Sequence, residues 1–502
     1  MIRATFVLLS ALLLTRALQA NFSLPHVLSD GMVLQRDKPV SIWGKGEEGV
    51  EIKAWFNGQD GKTKVKDGHW SITFAPYEAG GPYDLTIQSP KKTRIIQDVL
   101  IGEVWIAGGQ SNMQWNLSGS THKEQALSMR ENKRMRVFKQ TRNSSASPEF
   151  DTLEAQWMSS TSENRKHWSA VAYWFATDLQ KRLGVPVGLL INCGGATRAQ
   201  HWTPMETFRK TKGFLFSLDK ALTAKRTFES RRIRYEQELS AFLSKKKNGL
   251  KTGPAPAYYG LVHCGYYNAM IHPIRKFSSR GVIWYQGEGN AHTTWEAIEY
   301  RTFFPLMIAS WRDAFGDPNL PFLFVQLPRM SQSNPRDLPA LRESQLHTNQ
   351  TVAHTAMAVT IDIGKEVGLH PQLKKPIGLR LAKLARGQIY GEKVPIAGPR
   401  FKEFSVEKAE LTIRFDHLPS GLKTGDGNLP TEFTLCGPDK KFHPALAKIV
   451  EDTIVLSSKG VTEPVAARYC WRNECFPNLI SKNGLPVEPF RTDTFDLPER
   501  NP

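Results

Sequence analysis

The chain is short of cysteine, of acid and of long apolar runs. Its five cysteines are Cys193, Cys264, Cys436, Cys470 and Cys475. The odd count excludes complete internal pairing: Cys470 and Cys475 can bridge locally, as can either with Cys436, and at least one thiol stays free or pairs outside. Cys193 reads as a small buried apolar residue, because nothing in the sequence around it would lower its pKa. After residue 20 no run approaches the ~20 apolar residues that cross a bilayer, which argues against a membrane span. Asp and Glu number 48 against 66 Lys and Arg, for a net charge of +18. Such a balance suits nucleic acid, acidic membranes or acidic sugars, yet no aromatic-plus-basic nucleic-acid motif accompanies it. Much of it lies between residues 203 and 250, where a solvated helix face is the ordinary explanation. Acidic glycans fit the charge, which can steer them without identifying them. Internal repeats and low-complexity segments are also missing.

What is present begins with residues 1–20. Arg3, the apolar stretch Phe6 to Leu14 and the small-residue end Leu18-Gln19-Ala20 predict a secretory signal peptide, hence an exported protein: extracellular or periplasmic, or lysosomal in a eukaryote. Asn21, Asn116, Asn143 and Asn349 open glycosylation sequons that count only in a eukaryotic source; a glycan on Asn116 would crowd Ser111. Residues 21–98 show short strand-like runs between glycine-rich turns, as in Val40-Ser41-Ile42-Trp43 and Trp70-Ser71-Ile72-Thr73-Phe74, and predict a β-sandwich. Residues 99–400 alternate strands and helices. Within them 203–250 is a helical insertion, with Leu218, Leu222, Tyr235, Leu239 and Phe242 on its apolar side. Residues 401–502 return to a β pattern.

The most informative stretch is Gly108-Gly109-Gln110-Ser111-Asn112-Met113. It follows the apolar run Val104-Trp105-Ile106-Ala107, which predicts a short buried strand. Two glycines turn the chain, and Ser111 falls where a helix begins, beside the N–H groups of its first turn. A serine so placed either attacks a carbonyl and helps hold the oxyanion or merely caps the helix. Four further apolar runs end in polar signals: Val187 to Ile191 before Asn192-Cys193-Gly194-Gly195, Gly281 to Tyr285 before Gln286-Gly287-Glu288-Gly289-Asn290, Phe322 to Leu327, and Met357 to Ile361 before Asp362 and then His370-Pro371. Helices are predicted over Ser169 to Leu183, Trp295 to Phe315 and Ile377 to Ile389. Alternation of this kind predicts a parallel sheet with helices on both faces, whose ligands bind at the carboxyl ends of the strands. Ser111, Gly195, Asn290 and His370 all fall there.

Taken together these residues resemble the sialate O-acetylesterases, carbohydrate esterases of the SGNH-hydrolase superfamily. The resemblance rests on Gly109 to Met113, on Trp284-Tyr285-Gln286-Gly287-Glu288 with Asn290, and on His370-Pro371. Asp30 to Arg36, Gly188 to Asn192 and Pro489 to Asp493 add to it, so that it covers nearly the whole mature chain. It implies an α/β fold, a three-layer α/β/α parallel sheet flanked by N-terminal and C-terminal β domains. It implies Ser111 as nucleophile and His370 as the base that takes its proton and returns it to the departing sugar oxygen. The oxyanion would be held by the N–H groups of Ser111 and Gly195 and the amide of Asn290, with no metal or organic cofactor. The substrate would be an O-acetylated sugar or glycan, sialic acid being the family's usual one, with acetylated xylan or another polysaccharide as the alternative.

Three departures qualify this. Many superfamily members carry aspartate three residues before the histidine, where this chain has Val367. Asp362 or Glu366 then orients His370, or a backbone carbonyl does, and a catalytically silent sugar-binding protein stays open. The glycine block Gly194-Gly195-Ala196-Thr197 must be slid by one to match, so Gly195 or Ala196 supplies the N–H. Glycine stands at 289 where serine is usual. Gln110, Gln286, Glu288 and Arg198 are candidates to line the substrate site; Glu288 also suits a supporting role, since a carboxylate facing an oxyanion opposes it, and Arg198 suits solvent. Trp115 and Trp202 can stack on a sugar ring or simply pack.

Overall fold

The computed structural model describes residues 22–248, 250, 252–331, 336–365 and 368–497. The leader expected over 1–20, Glu366 and Val367 lie outside the described residues. The main sheet is built from β1 (Lys92–Gly109), β2 (Asn132–Lys139), β3 (Trp157–Ser160), β4 (Val187–Cys193), β5 (Gly281–Tyr285), β6 (Phe322–Val325) and β7 (Thr355–Ala358). Its spatial order is β3-β2-β4-β1-β5-β6-β7. The β3–β2 pairing is antiparallel and the others are parallel. The helices are α1 (Ser111–Gln114), α2 (Ala170–Leu183), α3 (Leu215–Lys247), α4 (Thr294–Phe315), α5 (Leu338–Thr351) and α6 (Lys375–Gln388).

Side-chain parity on β1 shows why the strands are apolar throughout. Residues 105 and 108 are three apart and so face opposite sides of the sheet. Trp105 packs its ring against Phe175 of α2, with ring centroids 5.0 Å apart. On the other side Gly108 lies against the ring of Trp284, which packs on Phe304 and Trp311 of α4. Helices therefore cover both faces, and Val104, Trp105, Ile106 and Ala107 are all 0% exposed, as expected of a parallel sheet buried twice. Val104 and Ile106 each contribute about 1.5–3 kcal/mol on burial. The result is the three-layer α/β/α arrangement with additional β-sheets at both ends. Helix boundaries follow local chemistry. Ser169 caps α2 by accepting from the Ala172 N–H, and Gly184 closes it in the left-handed region at φ 68°. Thr293 and Gly316 do the same for α4.

The N-terminal strands are continuous with this sheet. The first part of β1 pairs antiparallel with Gly80–Ser89, Val33–Gln35 lies parallel to Leu100–Gly102, and the last part pairs with β4 and β5. The boundary expected between 98 and 99 thus falls inside one 18-residue strand. Strand β2 escaped the sequence reading because Lys133, Arg134 and Arg136 break its apolar run. Arg136 is nonetheless buried, its guanidinium donating to the carbonyls of Gly31, Asp98 and Lys133 and pairing with the Asp98 carboxylate at 2.8 Å. In the insertion, α3 runs for 33 residues and buries only Ser217, Ala221, Ala224 and Phe228. The five apolar residues expected to pack there are half-buried. Residues 400–491 contribute two four-stranded antiparallel sheets and a two-stranded one. The five cysteines are buried and unbridged. Cys193 hydrogen-bonds the Ala107 carbonyl at 3.4 Å, and burial pushes its thiol up to about 12. Among the described residues no helix is long and apolar enough to cross a membrane.

The base of the sheet is fixed by one carboxylate. Glu103 on β1 is 0% exposed and accepts from Arg36 at 2.6 Å, Arg280 at 2.8 Å, Tyr390 at 2.8 Å and Gln35 at 3.3 Å. It joins the N-terminal layer, the approach to β5 and the chain after α6. Burial pushes its pKa up, but Arg280, Arg36 and Tyr390 outweigh this and leave it below the ordinary carboxylate range. Glu103→Ala strands two guanidiniums and is expected to cost about 3–5 kcal/mol in urea unfolding. A depressed folded pKa gives stability that is present above the unfolded value of about 4.3 and fades as pH falls. The gap between wild type and variant should therefore narrow toward acid pH.

Candidate active site

Two glycines create the turn that carries Ser111. A Cβ on Gly109, at φ 139°, would lie 2.2 Å from the Tyr285 carbonyl oxygen, and one on Gly108 would lie 2.8 Å from the Trp284 ring. Only glycine lets β1 approach β5 this closely. The chain then enters the single turn α1, with Ser111 half-buried at its first position and Asn112 and Met113 buried. His370 arrives from the loop between β7 and α6. Its Nε2 lies 2.7 Å from Ser111 Oγ, across 259 residues of sequence. Trp115 stacks on the imidazole at 5.2 Å with an interplanar angle of 25°, so this tryptophan packs on the histidine. Burial, and next the charge of Lys374, hold the imidazole below its ordinary 6.5. Neutral imidazole is the form that can accept a proton from Ser111.

Gly195 follows β4 and stands beside Ser111; a Cβ built on it would be 3.7 Å from that of Ser111. Its N–H donates to Gln114 Oε1 at 3.0 Å. Ala196, the neighbouring candidate, is in the left-handed region at φ 62°. Asn290 is buried, with Oδ1 accepting from the Ala199 N–H at 3.0 Å and from Gln286 Nε2 at 2.9 Å, and Nδ2 donating to Gln200 at 2.9 Å. One amide hydrogen of Asn290 is left over from these bonds.

Several expected assignments change. Asp362 is not hydrogen-bonded to His370 among the described contacts. Its carboxylate accepts from both terminal nitrogens of Arg380 on α6 at 2.6 Å each, because β7 ends at Ala358 and the following turn carries Asp362 toward that helix. Gln110, Gln286 and Glu288, expected to line the substrate site, face inward and are at most 3% exposed. Gln110 Oε1 receives the Gly287 and Gly289 N–H groups. Gln286 bridges the Thr197 carbonyl, Asn290 and the Tyr300 hydroxyl. Buried amides in a polar loop must satisfy several donors and acceptors, which is why these glutamines knit the two loops together. Arg198 is 34% exposed and pairs with Glu296 at 2.5 Å. Trp202 is fully buried against Tyr266 and Trp284.

Residues that sequence reasoning missed lie beneath this pair. Asn112 Nδ2 donates to Glu288 Oε1 at 2.5 Å and to the Leu369 carbonyl at 3.1 Å, while its Oδ1 accepts from Lys374 Nζ at 2.5 Å. Lys374 is 0% exposed. Burial pushes its amine down to about 7, against the opposing pull of Glu288. Burial likewise raises the Glu288 carboxyl, with Asn112 pulling the other way. One lysine in so basic a chain carries no signal of its own. Among the described residues no cluster of three or more His, Cys, Asp or Glu side chains is arranged to hold a metal ion.

Comparison with known proteins places the chain among carbohydrate esterases. The family model for carbohydrate esterase, sialic acid-specific acetylesterase, matches residues 259–385. That span carries the turn after β5, His370 and Lys374. Sialate O-acetylesterase of Mus musculus is 29% identical over 507 residues, covering 93% of this chain and 92% of the relative. That of Homo sapiens is 27% identical over 529 residues, covering 95% and 93%. A crystal structure of a carbohydrate acetylesterase from Xanthomonas citri aligns with a TM-score of 0.82 at 34% identity, over 94% of this chain and 100% of that one. The His370 imidazole is expected to titrate below 6.5 in histidine NMR spectra assigned by difference with His370→Ala; a pKa above 6.5 would contradict the burial described.

Proposed function

The chain belongs to the sialate O-acetylesterase family of carbohydrate esterases, and from that premise we propose that it is an exported serine esterase that removes O-acetyl groups from sialic acids. The observation that carries this reading is the 2.7 Å contact between Ser111 Oγ and His370 Nε2. In it, Ser111 attacks the acetyl carbonyl as His370 takes its proton. The imidazolium then protonates the sugar oxygen as the C–O bond breaks, leaving an acetyl-enzyme. Water, deprotonated by the same imidazole, releases acetate. Trp115 supports the charged imidazole through its ring face. The oxyanion is held by the Ser111 and Gly195 N–H groups, Gly195 exchanging its Gln114 partner for the substrate oxygen, and by the remaining amide hydrogen of Asn290. Each such donor contributes roughly 2.7–4 kcal/mol to the transition state. Export rests on the composition of residues 1–20.

Sialic acid is favoured over a neutral sugar by the net charge of +18, which suits an acidic glycan, and by the likeness to the sialate O-acetylesterases of Mus musculus and Homo sapiens. A carbohydrate other than sialic acid is the second reading, from the 34% identity to the Xanthomonas citri carbohydrate acetylesterase. Acetate release from O-acetylated sialic acid and from acetylated xylan, assayed side by side, decides between them: faster turnover of xylan would overturn the sialate reading. Ser111→Ala and His370→Ala are each expected to lower kcat on an aryl acetate by at least about 10³-fold, with melting temperatures close to wild type. Asp362→Asn should leave kcat within about twofold, as a group that makes no transition-state contact does. The active form is neutral imidazole. Its depressed pKa therefore predicts a kcat/KM that holds below pH 6.5 before the acid limb falls.

A further inference from the structure

The Ser111–His370 pair stands on a buried polar floor that none of the steps above uses. Asn112 follows Ser111 directly, and its amide serves three partners at once. It holds the carbonyl of Leu369, the residue before His370, and it receives the ammonium of Lys374, four residues after it. Its third bond, to Glu288, reaches the turn after β5. Both flanks of the histidine loop are thus tied to the chain segment that carries the serine. Lys374 sits at the N-cap of α6, where the helix dipole opposes a cation. It is fully buried, with Nζ 5.3 Å from the Tyr285 ring centroid and 6.0 Å from that of Trp115. Among the described residues Glu288 Oε2 finds no hydrogen-bond partner. A lysine in such a place, with one incompletely bonded carboxylate for company, is a poor choice for stability. Its use lies in what it holds.

Resting on the Ser111–His370 reading, we propose that Lys374 is a positioning residue for His370. Through Asn112 it fixes the imidazole within reach of Ser111, and its charge adds to burial in disfavouring the imidazolium. The titratable groups around it are Glu288 on the turn after β5, Tyr285 at the end of β5 and His370 itself, with Arg336 beyond Glu288. Lys374 carries its charge below about 7, which spans the range where His370 protonates. There it opposes the imidazolium, so removing it raises the imidazole pKa and moves the acid limb of the rate profile to higher pH.

The experiment measures kcat, KM and the kcat/KM pH profile of Lys374→Met, Lys374→Gln and Ser111→Ala on an aryl acetate, with melting temperatures. Lys374→Met removes charge and hydrogen bond together. It is expected to lower kcat about 10- to 100-fold, as a small misplacement of a catalytic group does, with KM within about twofold and the acid limb shifted upward. Lys374→Gln is neutral but still able to donate to Asn112. It should regain part of the kcat while keeping the shifted limb, and it serves as the test if the methionine variant does not fold. Wild-type kcat and an unmoved limb in the lysine variants, beside an inactive Ser111→Ala, would overturn the positioning role and leave the nucleophile standing. An active Ser111→Ala would overturn the nucleophile itself.

Discussion

The close approach of β1 to β5 is the constraint on which the site depends. Gly108 and Gly109 leave no room for side chains against Trp284 and Tyr285. That contact brings the chain at Ser111 and the turn at 286–290 to the same point above the sheet. Gln110 then reaches across to the Gly287 and Gly289 N–H groups, and Asn112 reaches Glu288. Only the central residue of the three, Ser111, keeps its side chain for the histidine. A side chain larger than hydrogen at 109 would push these two segments apart, and the hydrogen bonds between them are too short-ranged to follow.

Electrostatics divides the molecule into a base and a rim. At the base, Glu103 gathers Arg36 and Arg280 into a fully paired cluster, where opposite charges outweigh burial. At the rim, burial dominates. Glu288 is pushed up, Lys374 down to about 7 and His370 below its ordinary value. Groups displaced from their usual titration ranges in this way gather where proton transfer is useful. In this chain His370 contacts the serine, and Glu288 and Lys374 meet on Asn112 beside it.

Much of this was legible in the sequence. The runs ending near Gly109, Asn192, Tyr285 and Val325 predicted the parallel strands, since a strand buried on both faces must be apolar at every position. The polar residues just beyond them marked the rim. Ser111, Gly195 and His370 do gather there, while Asn290 is bonded to Ala199, Gln286 and Gln200. What was not legible depends on side-chain direction. Nothing in Gln286 or Gln110 tells whether its amide faces solvent or a neighbouring loop, and both face inward. Asp362 has the right chemistry and the wrong neighbour, because a turn after β7 hands it to Arg380. Strand β2 was hidden by exposed Lys133 and Arg134 and by Arg136, which the fold buries among carbonyls. Lys374 was invisible because its meaning arises only when Asn112, 262 residues away, closes on it.

The most direct test of the central claim is chemical labelling. A fluorophosphonate, which phosphonylates an activated serine oxygen, is added to the folded protein and the adduct located by peptide mass spectrometry. One adduct is expected, on Ser111, formed much more slowly in His370→Ala and absent in Ser111→Ala. An adduct on another residue, or labelling of Ser111 at an undiminished rate without His370, would contradict that claim.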